Sequence, residues 1–532
     1  MSNKIQLSKF HTGDDMTAFA DAMAYLREHP GTTLVIEPGT YTLTGDLAKS
    51  AMASVMKGEW GANPQRIMFS PKYKYDRGIS FDGVKNCRVE GYGATLMVDG
   101  FMEPVSMVNC KNVELCGITI DHIRKPYTRG VIISQSERDE NGGRTCEITL
   151  DQPVAPKSPF TLRYIFYDVQ TGQNVPCGIV SYEITDPTHV KAVLSSPKDD
   201  LTGLEFYTVH TYHSRPAILI ENAKNITLTD VTIHSQPGMG VVGNRCEDVT
   251  MRRLNVVPSV GHHYSTNTDA THFTSVKGTL RYENCVFDGQ GDDFTNVHTY
   301  YHAVIGREDG NRYLLQEKTP DGTHAQTLDY PDIGDTMELV SHDTLEVIGY
   351  YTVTDCEPMP EKWMCRVTLD KPLPENTDGL MLSDITRTPF VEIIGCTASR
   401  HFARSILLKT RKGALVEGNH FRDVQGPAIV AAAESWWYEG VCPANITIRR
   451  NRIVNCARNW GEAAGIVVKA DSDHPKGQTI TNITIEDNII DCPNHPHGIF
   501  LRNIDGVKLA RNRINTKEEE IVIGDCINVQ NL

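Results

Sequence analysis

Three carboxylates stand out by type and spacing: Asp269 in Asn267-Thr268-Asp269-Ala270, and the pair Asp292 and Asp293 after Gly291. Asp269 and Asp292 lie 23 positions apart, about one coil of a parallel solenoid. Neighbouring strands sit about 4.7–4.9 Å apart, so one coil's turn stacks directly on the next. The three acids then converge on one patch. A proton donor facing a carboxylate that activates water is the arrangement for acid/base cleavage of a glycosidic bond. Clustered like charges also raise the proton affinity of at least one member, and such a cluster titrates as a unit. Asp292 and Asp293 are adjacent, and adjacent strand side chains point to opposite faces. Both reach one site only where the backbone turns, which Gly291 permits.

Around these acids lie Asn267, His272, Asn296 and His298. Each could bond a sugar hydroxyl; each histidine could instead hold an aspartate or satisfy the interior. His262-His263 has no acidic partner at ligand spacing, so neither metal nor cofactor is expected. Later coils passing the same face carry Arg404, Lys409 and Arg411, then Glu434-Ser435-Trp436-Trp437-Tyr438-Glu439. Only 5 Trp occur in the chain, so an adjacent pair in a polar loop is unusual. Aromatic faces can stack on the apolar face of a sugar; the bland alternative is a packed wedge. Arg404, Lys409, Arg411, Glu434, Trp436 and Trp437 are therefore candidate substrate contacts.

A recurrent phrase must position these residues. KNCRVEGYGATL (85–96), KNVELCGITIDH (111–122), KNITLTDVTIHS (224–235) and TNITIEDNIIDC (481–492) each carry Asn at the second position and continue as a β-branched alternating run. Alternation marks strands, and spacings of roughly 20–40 residues mark stacked coils. Asn tolerates the left-handed conformation at a fixed turn. The fold class expected is all-β: a right-handed parallel β-helix with two inserted, small, barrel-like domains. The segment from Asp14 through AFADAMAYLREHP reads as a short helix capping the open end of the stack. The insertions share a phrase, Cys-x-(Ile/Val)-Thr-Leu-Asp-x-Pro, at 146–153 and 365–372. The division read is N-terminal coils with the cap at 1–127 and a first insertion at 128–215. Coils with the aspartates follow at 216–298, then a second insertion at 299–383 and C-terminal coils at 384–532.

The net charge of −15 argues against nucleic acid as a partner, because phosphate binding needs basic stripes. No run of 18 apolar residues suggests a membrane span. The N-terminus as written lacks a signal peptide's apolar region, which reads as cytoplasmic; a protein exported and trimmed of its leader would read the same. The 14 Cys follow polar or small residues at strand ends, as in Asn284-Cys285 and Asp491-Cys492, and read as small buried thiols.

The aspartate motifs are similar to those of polygalacturonases. That family's Gly-His-Gly and Arg-Ile-Lys motifs are absent here, where Asn296-Val297-His298 and LLKTRKG (407–413) stand instead. Residues 265–298, STNTDATHFTSVKGTLRYENCVFDGQGDDFTNVH, more closely resemble the α-1,3-galactosidases of glycoside hydrolase family 110. The resemblance implies an inverting exo-hydrolase that removes terminal α-1,3-linked galactose from Gal-α1,3-Gal and blood-group-B-type glycans. It implies Asp292 as general acid, with Asp269 and Asp293 positioning and deprotonating water. Inverting pairs stand about 6.5–9.5 Å apart, the separation expected here. The partner expected is a carbohydrate with terminal α-galactose; a side-to-side homodimer is a further expectation. The alternatives are another β-helix hydrolase or polysaccharide lyase, or a non-catalytic carbohydrate-binding protein.

Overall fold

The computed structural model describes residues 3–11, 13–70, 72–317, 328–457 and 464–532. Residues 318–327 of the second insertion and 458–463 of the C-terminal coils lie outside the described residues. Three parallel sheets stack coil upon coil as a right-handed β-helix. The first sheet has 13 strands, running from Asn3–Gln6 to Ile527–Asn531, and the second has 11, from Gly39–Thr44 to Arg513–Thr516. The third carries the site, through Val241–Asn244, Thr271–Thr274, Thr295–Asp309, Ile406–Leu408 and Ile429–Glu434 in parallel register. Inward residues such as Ile226, Val249, Leu280, Val391 and Val416 fill the bore and are inaccessible to solvent.

The repeated Asn makes the turns. Asn86, Asn112 and Asn225 take φ of 55°, 54° and 55°, a region Asn visits at low steric cost. Their amides form a ladder along the coils: Asn112 Nδ2 donates to Asn86 Oδ1 at 2.6 Å, and Asn225 Nδ2 to Asn112 Oδ1 at 3.0 Å. A second, buried ladder runs through Asn419, Asn451 and Asn488 at another corner. Each amide there is satisfied without water, so the coil register is fixed by paired polar groups as well as by the apolar bore. The cysteines are free thiols and most are buried, with Cys285 beside Cys396 and Cys456 beside Cys492.

The helix Asp15–Glu28 closes the N-terminal end, burying Phe19, Ala22, Met23 and Leu26. Asp14 caps it, its Oδ1 accepting from Thr17 N at 2.8 Å. Two further helices, Asp46–Met56 and Gln65–Met68, lie beyond the single cap read from the sequence.

The two insertions differ in closure. Seven antiparallel strands from Tyr127–Gln135 to Glu205–Val209 form one sheet around Ile132, Ile148, Phe166, Leu194 and Phe206. In the second, six antiparallel strands pair in a closed ring, because Thr295–Asp309 bonds to both Arg312–Gln316 and Leu380–Asp384. Thr295–Asp309 begins in the third parallel sheet and continues into this barrel. Coil and insertion therefore share one strand across positions 298 and 299.

Candidate active site

The turns entering three successive strands of the third sheet deliver Asp269, then Asp292 and Asp293, then Arg404. One oxygen of each aspartate lies within 4.8 Å of one from each of the others. The cause is topological: two of the acids are chain neighbours, and the third sits one strand spacing away. Gly291 is required for a different reason from the one read in the sequence. Its φ is not positive; instead, a Cβ there would fall 2.2 Å from both the Asn267 carbonyl oxygen and the Tyr264 hydroxyl.

The acids line a cavity of about 360 Å³ together with His272, Asn296, Arg404, Glu434 and Trp437. Each aspartate has its own partners. Asp293 is 2% exposed and clamped by Arg404: the backbone N and Nε donate to Oδ1 at 2.8 and 3.2 Å, and Nη2 to Oδ2 at 2.9 Å. Asp269 holds His272, with Oδ2 2.7 Å from Nδ1. Asp292 accepts at Oδ2 from Arg163 Nη1 at 3.1 Å and from the Tyr212 hydroxyl. Its Oδ1 has no hydrogen-bond partner among the described residues. Its side chain is 20% exposed, against 7% for Asp269.

Proton affinities follow these surroundings. Burial raises Asp269 and Asp293 above the ordinary carboxylate range, and the neighbouring carboxylates add to the rise against the pull of His272 and Arg404. Burial also acts to raise Asp292, but Arg163 and Tyr212 outweigh it and hold this carboxyl below the usual range. The residue assigned as acid by resemblance is thus the one that binds its proton least tightly in the free site. Arg163 and Tyr212 come from the first insertion; Arg404, from a later coil, lowers Asp292 further.

Behind the cavity, fully buried Lys409 joins Glu439, Glu434 and Asn296 at 2.8, 2.9 and 3.2 Å. Arg404 also reaches Glu434 at 2.6 Å. By distance alone the three aspartates could share a cation. Arg163 and Arg404 already bond oxygens of Asp292 and Asp293.

The structure does not bring every sequence candidate to the cavity. Asn267 is buried and donates to the Thr211 carbonyl at 2.9 Å, tying the coil to the first insertion. His298 and Lys409 stand behind the wall. Arg411 pairs with Glu338 of the second insertion, and Trp436, 57% exposed, lies outside the lining. The sequence reading misses Arg163, Tyr212, Phe402 and Glu439, all of which line the cavity. Phe402 and Glu439 carry a signal, standing beside Arg404 and the Trp pair. Arg163 and Tyr212 carry none.

No protein-family model matches the chain. Among curated proteins, "Alpha-1,3-galactosidase B" of Bacteroides fragilis is 27% identical over 486 residues, covering 83% of this chain and 80% of that one. "Alpha-1,3-galactosidase A" of Akkermansia muciniphila is 28% identical over 531 residues, covering 92% and 86%. The relatives are α-1,3-galactosidases. The resemblance read at residues 265–298 therefore extends over most of the chain. A solved GH87 α-1,3-glucanase catalytic unit from Streptomyces thermodiastaticus strain HF3-3 is 10% identical, with a TM-score of 0.39, covering 99% of this chain and 69% of that one.

Proposed function

We propose that this chain is an exo-acting, inverting α-1,3-galactosidase that removes terminal α-1,3-linked galactose from Gal-α1,3-Gal or blood-group-B-type glycans. The observation that carries the proposal is the convergence of Asp269, Asp292 and Asp293 in one cavity, on a chain whose relatives bear that name along most of their length. A volume of about 360 Å³ is at the small end for ligand sites and suits a chain end. Arg163, Tyr212 and Trp437 are among its lining residues. Trp437 offers a ring to the apolar face of the sugar.

Asp292 is the proton donor in this proposal, because it is the most exposed of the three and keeps one oxygen free. Asp269 and Asp293 hold the attacking water. Asp293, clamped through both oxygens, is poorly placed to attack carbon itself, which favours inversion. The anomer released first, read by NMR, decides between inversion and retention. Because Arg163 and Tyr212 depress Asp292, its proton is lost as pH rises, so kcat/KM should be greatest on the acidic side and fall towards neutrality.

Asp292→Asn should lower kcat on a natural disaccharide by about 10²–10⁴-fold. It should cost far less on an aryl galactoside whose leaving group needs no proton. Equal losses on both substrates would take the donor role away from Asp292.

A further inference from the structure

Three hydrogen bonds run in series behind Asp269. Its Oδ2 lies 2.7 Å from His272 Nδ1, His272 Nε2 lies 2.9 Å from His298 Nε2, and His298 Nδ1 lies 3.0 Å from the Thr299 carbonyl oxygen. Each bond needs one proton. A carbonyl only accepts, so His298 Nδ1 must carry hydrogen. Two neutral imidazoles bring two protons in all, and an ionised carboxylate brings none. The series is one proton short unless it holds a third.

The place of that third proton follows from the chain's direction. His298 is 1% exposed, and burial pushes its pKa down to about 3. It is neutral, and with Nδ1 protonated its Nε2 accepts. His272 must then donate from Nε2, and the remaining proton lies between His272 Nδ1 and Asp269 Oδ2. We propose that Asp269, His272 and His298 form a proton-holding array. In it His298 is a positioning residue: by accepting from His272 Nε2 it keeps the extra proton on the His272–Asp269 pair.

The groups facing the array are consistent with this. Asp292 and Asp293 from the next coil and Glu439, which follows the strand Ile429–Glu434, present negative charge to it, which favours the extra proton. Lys409 faces His298 and disfavours a charge there. The three aspartates thereby have three different counter-charges: Arg163 for Asp292, Arg404 for Asp293, and a proton for Asp269. Asp269 can then face water through Oδ1 without adding a third unmatched charge.

The test is nitrogen NMR of the full chain labelled in histidine, without substrate, with signals assigned from His272→Gln and His298→Gln. At neutral pH the array requires hydrogen on His272 Nε2 and on His298 Nδ1, with His298 Nε2 bare. Finding His272 as the Nδ1–H tautomer with a bare Nε2, beside a neutral His298, would overturn the proposal. His298→Leu removes the acceptor, so the hydrogen on His272 Nε2 should be lost from the neutral-pH spectrum. His298→Gln supplies an oxygen for His272 and an amide for the Thr299 carbonyl, and should keep the wild-type spectrum. An unchanged His272 spectrum in folded His298→Leu would also overturn the array; if the leucine variant fails to fold, the wild-type spectrum decides alone. A kinetic arm rests on the galactosidase reading: kcat should fall about tenfold in His298→Leu at unchanged KM and recover in His298→Gln. A wild-type chain that cleaves no galactoside would remove that reading, while the histidine spectrum would still decide for or against the array.

Discussion

The two insertions share a sequence phrase and leave the same coil stack, yet they act on it in opposite ways. The first sends a cation inward: Arg163 reaches Asp292 and lies 4.4 Å over the Tyr212 ring. Among the described residues, the second contributes none to the cavity lining. It offers acids to cations of the coils instead, with Glu338 on Arg411, Asp332 on Arg245 at 2.6 Å and Asp335 on Lys277 at 3.0 Å. One insertion depresses the Asp292 carboxyl; the other is fastened beside the aspartates. A shared phrase fixes a strand and its turn, whereas role is decided by which side chains the insertion turns towards the coil.

Substitutions can break that contrast. The largest effect on stability belongs to the second insertion. Arg411→Met strands Glu338, which is inaccessible to solvent, and should cost about 3 kcal/mol of stability while leaving kcat/KM unchanged. Burial already raises the Glu338 carboxyl, and losing Arg411 raises it further. A group raised in the folded state gives up stability as pH climbs from the unfolded value towards the folded one. The melting deficit of the variant should therefore widen above about pH 4.5. A fall in activity with no thermal deficit would return Arg411 to the substrate. Next comes the first insertion: Arg163→Met removes the cation that holds Asp292 low, so the fall of kcat/KM should move to higher pH, with little change in melting temperature. The reverse pattern would make the two insertions alike. The smallest effect separates the tryptophans. Trp437→Ala should raise KM several-fold, in line with stacking worth about 0.5–1.5 kcal/mol, and Trp436→Ala should leave it unchanged.

Much of the coil stack is legible in the sequence because its rule is local and repeated. Each Asn at 86, 112 and 225 marks its own turn, and the alternating run after it marks its own strand. Convergence of Asp269 with Asp292 and Asp293 is legible for the same reason, since one coil separates them. Arg163 and Tyr212 are invisible because they arrive from an insertion with no period to align them with Asp292. Arg411 misleads because its coil does pass the site's face, while its charge is drawn off by Glu338. His298 reads along the chain as a sugar contact, a holder of an aspartate or a structural group; only the ordered series of acceptors in space shows that it reaches Asp269 through His272.

The most direct measurement is free galactose released when the purified protein meets Gal-α1,3-Gal, followed against Asp292→Asn under the same acidic conditions. The proposed site predicts steady release by the wild type and a loss of about two orders of magnitude or more in the variant. No release by a folded wild type, from this disaccharide or from its fucosylated blood-group-B counterpart, would contradict it.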